Sequence, residues 1–129
     1  MISNRILQTT VDGLKAISRV DLCIVDADKN VAAKTFDNVS ECLADAISFI
    51  DSPAESQAVN GFQFFKVEDD GNLEYIIMAR GTSDDVYMVG KLTAFQIQNL
   101  LVAYKERFDK DNFIKNLSLY ATSRFCICL

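Results

Sequence analysis

Gly61-Phe62-Gln63-Phe64-Phe65-Lys66-Val67, then Asp69-Asp70-Gly71-Asn72, then Leu73-Glu74-Tyr75-Ile76-Ile77-Met78-Ala79-Arg80 is the stretch on which the fold turns. Two runs dense in aromatic and β-branched residues flank an Asp-Gly turn, the pattern of a β-hairpin. Side chains alternate along a strand, so Phe62, Phe64 and Lys66 share one face and Gln63, Phe65 and Val67 the other. At least one of those faces has to be core.

Toward the C-terminus, Gly81-Thr82 breaks the strand, and Ser83 followed by Asp84-Asp85 opens a helix with acidic residues at its positive end. Nothing interrupts it before Asp109-Lys110-Asp111-Asn112, which gives a helix of about 25 residues. Gly90, Ala94, Ile97, Leu101, Tyr104 and Phe108 form a short heptad-like seam along it, with Val89, Leu92, Gln96, Leu100 and Ala103 as a second stripe. Two stripes let one helix pack on its own sheet and on a second helix. The seam is the expected homodimer contact.

Toward the N-terminus, Ser52-Pro53-Ala54-Glu55 reads as one short helical turn with Pro at its first position. Asn38 and Glu41 resemble a capping box for a helix over about 39–51, with Val39, Leu43, Ile47 and Ile50 as its apolar stripe. Val20–Val25 and Val31–Phe36 read as strands joined by Asp26-Ala27-Asp28-Lys29-Asn30. Ile2, Ile6, Leu7, Val11, Leu14 and Ile17 recur at helical spacing over about 3–17. The expected fold is α+β and PAS/GAF-like: an antiparallel sheet of about four strands, helices on one face and flanking it, and a long C-terminal helix. Residues 1–82 would form the core, 83–117 the helix that completes the domain and links it onward, and 118–129 an atypical tail.

The chain has 129 residues, a formal net charge of −5 and no histidine. An acidic chain lacks the field that neutralises phosphates, so direct nucleic-acid binding and attachment to anionic membranes are not expected. No run approaches the roughly 20 apolar residues of a membrane span. A cytoplasmic setting with reduced cysteines is the expectation. The lack of histidine removes Ser-His-Asp and Cys-His catalysis and the usual zinc ligand sets.

Several patterns mimic chemistry. Asp26-x-Asp28-x-Asn30 with Asp37 resembles a calcium loop, but Val31 stands where such a loop needs Gly, so a hairpin turn accounts for it better. Cys126-Ile127-Cys128-Leu129 matches a prenylation pattern without a polybasic stretch before it, and its two thiols are too few for a metal site. The runs Glu68-Asp69-Asp70 and Asp84-Asp85 read as a solvated turn and a helix start. Gly61, Gly71, Gly81 and Gly90 are isolated, so there is no phosphate loop. Arg80-Gly81-Thr82 could hold an anion. Phe62, Phe64, Phe65 and Tyr75 could line a pocket between sheet and helix, and Lys34, Lys66 and Arg80 could meet an acidic ligand there. No cofactor or metal is expected.

Ile6-Leu7-Gln8-Thr9-Thr10-Val11-Asp12-Gly13-Leu14, Val20–Asp26, Val89–Leu101 and above all Tyr104–Leu117 resemble the sensor module and linker of bacterial sugar-diacid-utilisation regulators of the CdaR/PucR type. The resemblance covers about residues 2–117. It implies a sensor for small acidic metabolites at the head of a transcriptional regulator, with a helix-turn-helix part beyond it. This chain lacks the His-containing stretch of the diacid-sensing members. Its end after Leu117 reads as a truncated or frame-altered regulator. The function expected is therefore a ligand-sensing or dimerising regulatory domain without its DNA-binding part. The alternative is a structural homodimerisation module. Neither is an enzyme.

Overall fold

The computed structural model describes residues 2–117, with side chains as far as Glu106. Eight elements follow one another: α1 (Asn4–Ser18), β1 (Leu22–Asp26), β2 (Val31–Lys34), α2 (Ser40–Ile50), β3 (Ser56–Val59), β4 (Phe62–Asp69), β5 (Asn72–Arg80) and α3 (Asp84–Leu117). The strands make one sheet in the order β2-β1-β5-β4-β3, with every neighbouring pair antiparallel. The α+β architecture read from the sequence is present, with its antiparallel sheet, flanking helices and long last helix.

Three details differ. The sheet has five strands, because Ser56–Val59 pairs with Phe62–Phe65 where a helical turn was expected before it. Asn60 and Gly61 both have positive φ, at 52° and 81°, the two-residue hairpin turn that Asn-Gly favours. Helices cover both faces instead of one: α1 and α3 lie on one side and α2 on the other. Finally, α3 continues to Leu117, about 50 Å of helix, because the polar run at 109–112 contains neither Pro nor Gly to end it.

Both faces of the sheet are therefore core. On one, Leu22, Ile24, Phe65, Val67, Tyr75 and Ile77 pack under Leu7 and Val11 of α1 and Ile97 and Leu101 of α3. On the other, Cys23, Val25, Phe64, Ile76 and Met78 pack under Cys42, Ala46 and Phe49 of α2. The Phe62/Phe64 and Phe65/Val67 alternation holds, and each half feeds a separate cluster. Of the apolar positions in α1, Ile17 is 84% exposed. Helical periodicity marks a face but not how far the sheet extends beneath it. Helix α2 lacks the expected capping box, since its N-cap position is Val39 and no side chain caps it.

Candidate functional site

Of the six residues expected to bind a ligand, Phe62, Phe64, Lys66 and Arg80 come together on one face, while Tyr75 and Lys34 lie elsewhere. Phe62 and Phe64 belong to a ladder of four rings on the α2 face. Centroids lie 5.8 Å apart for Phe36–Phe62, 6.5 Å for Phe62–Phe64 and 5.9 Å for Phe64–Phe49. Each end of the ladder carries a cation. Arg80 lies 4.2 Å from the Phe36 centroid, and Lys66 Nζ lies 4.9 Å from that of Phe49 while donating to the Ser52 carbonyl. This is a packed, cation-capped core rather than a pocket lining. Tyr75 is buried on the opposite face. Lys34 is exposed on the outer strand β2.

The anion site considered at Arg80-Gly81-Thr82 is already committed. Arg80 reaches Asp21 Oδ2 at 3.4 Å, and the Gly81 N–H donates to the Gly61 carbonyl at 2.7 Å. Asp21 gathers a polar knot: Lys15 Nζ donates to it at 2.8 Å and the Thr35 hydroxyl at 3.1 Å. Burial by itself would raise the carboxyl's pKa. The hydrogen bonds from Lys15 and Thr35 and the charges of Lys15 and Arg80 outweigh it and hold the group below its usual 3.8. A depressed folded pKa gives stability that is present above the unfolded value and lost as pH falls through the folded one. The stability gap between the wild type and Asp21→Asn is expected to narrow below about pH 4. Thermal unfolding of both proteins from pH 7 downward measures it, and a gap independent of pH would refute the knot.

The remaining candidates resolve as structure. Asp26 Oδ1 accepts from the Asp28 and Asn30 amides at 2.9 Å each, so the calcium-like spacing builds its own turn. Burial pushes the Cys23 thiol up to about 12, with nearby Cys42 adding to the shift, so the thiolate is scarce at neutral pH. Among the described residues no group of three His, Cys, Asp or Glu is gathered for a metal, and no helix is long and apolar enough to cross a membrane. Cys126 and Cys128 lie outside the described residues.

Most residues of the expected dimer seam are engaged within the domain. Gly90, Ala94, Ile97 and Leu101 face the domain's own sheet, and a Cβ built on Gly90 would come within 2.2 Å of the Phe65 ring. Tyr104 is exposed, and the side chain of Phe108 lies outside the described residues.

What the sequence reading missed is an edge. At one end of the sheet the Gln8 side chain caps β2 at Lys34: its amide donates to the Lys34 carbonyl at 2.8 Å and accepts from the Lys34 N–H at 3.1 Å. At the other end, β3 has β4 on one side and, among the described residues, no strand on the other. Lys66 N–H donates to the Glu55 carbonyl, and Gln57 and Val59 are matched with Phe64 and Phe62. By antiparallel alternation the main-chain groups of Glu55, Gln57 and Val59 point to β4, and those of Ser56 and Ala58 point away. Ser56-Gln57-Ala58-Val59 carries no charge and no Pro, the usual guards of an edge strand. Its low β-propensity hid it. The Asn60-Gly61 turn was the signal that could have revealed it.

Compared with known proteins, the fold is similar to that of Myxococcus xanthus MglB, with a TM-score of 0.54 over 80% of this chain and 92% of that one. Sequence identity is 8%, so the likeness shows the fold alone. No family model matches the sequence, and no curated protein matches it.

Proposed function

We propose that this chain is a cytoplasmic regulatory assembly domain, not an enzyme, that works as a homodimer joined through β3. The observation that carries this is the unequal treatment of the two sheet edges. One is capped at Lys34 by Gln8, and the other carries no charge and has no further strand beside it among the described residues. Antiparallel pairing of β3 with β3 of a second copy is self-complementary, which is what a two-fold interface requires. Two five-stranded sheets would then join into one.

The input module of a transcriptional regulator, the kind of protein the sequence resembles, fits such a role. Assembly is favoured over capture of a small acidic metabolite, because α2 fills the Phe62/Phe64 face. The absence of histidine and the engagement of Asp21 and Asp26 in structural bonds support a non-catalytic role.

Ala58→Pro tests the reading cleanly. It deletes an amide that points away from β4, so the internal ladder survives while the edge loses a donor. Sedimentation of the full chain at tens of micromolar is expected to give a dimer for the wild type and a monomer for the variant, with matching circular dichroism. A monomeric wild type, or a variant that stays dimeric, would sink the proposal.

A further inference from the structure

Of the asparagines in this chain, only Asn60 is followed by glycine. Asn30 and Asn38 precede valine, and Asn72 and Asn99 precede leucine, whose side chains screen the following main-chain nitrogen. Gly61 offers no such screen, and a Cβ built on it would meet nothing within 4 Å. Both residues are exposed at the tip of the β3–β4 hairpin. The pair therefore has the chemistry and the access for a reaction between the Gly61 amide nitrogen and the Asn60 side chain.

Asn60 is also a fastener. Its Nδ2 donates to Asp45 Oδ2 at 2.9 Å, which ties the hairpin to α2. The helix has little else of this kind at its start, where no side chain caps it. On the hairpin's side the hold is one-sided: among the described residues β3 pairs with β4 alone. A strand held along one edge opens locally at lower cost than the central strands do. Opening frees Asn60 both from its left-handed backbone, at φ 52°, and from Asp45.

We propose that Asn60 is a site of spontaneous deamidation, and that the product turns its bond to Asp45 into a repulsion. As the hairpin frays, the Gly61 nitrogen gives up its proton and attacks Asn60 Cγ. A C–N bond forms, the Cγ–Nδ2 bond breaks and ammonia leaves. Water then opens the succinimide ring at one carbonyl or the other, leaving aspartate or isoaspartate. Both products lack the Nδ2–H donor and bring a negative charge to the Asp45 carboxylate. Isoaspartate also routes the main chain through the side chain, which lengthens a turn of only two residues. Val59 and Phe62 are then no longer held opposite each other. The conversion belongs to this corner of the chain and does not depend on what pairs with β3.

The test incubates the full chain in mildly alkaline buffer, folded in one set and unfolded by urea in another. Ion-exchange chromatography follows the charge, and peptide mapping by mass spectrometry gives the position. The folded protein is expected to accumulate a more acidic form whose change maps to Asn60. Asn60→Gln, which would have to close a larger ring, should stay unmodified. Asn60→Asp supplies the charge without incubation and is expected to lower Tm by roughly 2–5 °C. Asp45→Asn in the same chain should restore most of that loss. A folded Asn60 that stays intact while the unfolded chain converts would overturn the site. An Asn60→Asp protein as stable as the wild type, or one that Asp45→Asn does not relieve, would overturn the repulsion.

Discussion

Phe64→Ala is expected to destabilise the domain by about 3–5 kcal/mol, lowering Tm by roughly 10–20 °C. Phe64 is fully buried at the centre of the α2-side cluster, between the Phe62 and Phe49 rings. Truncation removes most of an aromatic side chain's transfer energy and leaves a cavity that neighbouring rings, held by Ile76, Met78 and Ala46, can fill only in part. The same substitution decides between two roles for these aromatics. The wall of a ligand pocket faces a cavity on one side and loses little when shortened, whereas a packed ladder loses contacts on every side. Phe62→Ala, at a half-buried place in the ladder, should cost clearly less. Urea and thermal unfolding of both variants measure the difference. A Phe64→Ala protein within about 1 kcal/mol of wild type would mean that α2 does not pack on this face as described.

Gly90→Ala should also destabilise, although alanine is the better helix former by about 1 kcal/mol. The reason is the approach of α3 to the sheet. An added Cβ would lie 2.2 Å from Phe65 Cε2 and 2.8 Å from Cζ, and Phe65 is 2% exposed with Tyr87 against its ring at 5.4 Å. The ring has little room to retreat, so the helix has to lift or the ring has to leave its rotamer. Such overpacking typically costs about 1–3 kcal/mol, which outweighs the gain in propensity. If Gly90 instead lay at a homodimer seam, the substitution would change association and leave monomer stability equal or improved. Unfolding read together with sedimentation separates the two. A variant more stable than the wild type and altered in assembly would return Gly90 to the interface.

Much of the fold was legible before any coordinates. Asp70-Gly71 between two apolar runs determined the β4–β5 hairpin, because few other turns join strands so closely. The spacing in α1 and α3 and the β-branched run at 20–25 determined three further elements. Less of the site was legible. Lys34, Lys66, Tyr75 and Arg80 have the chemistry of ligand binders. Composition cannot show that Arg80 and Lys66 spend their charges on rings of the same face, or that Tyr75 points to the opposite one.

The sequence by itself determined the class of structure, since local turn chemistry and apolar period are properties of neighbours along the chain. It also determined the lack of histidine-based chemistry. Which of two apolar stripes on α3 turns inward was decided by tertiary structure. Gly90 allows close approach to Phe65, and that contact between residues 25 positions apart sets the rotation of the helix about its axis. Tertiary structure likewise decided that Ser56–Val59 is a strand, because its pairing energy comes from β4 and not from its own residues. It also decided that one sheet edge is capped at Lys34, through Gln8 reaching it across 26 residues of sequence.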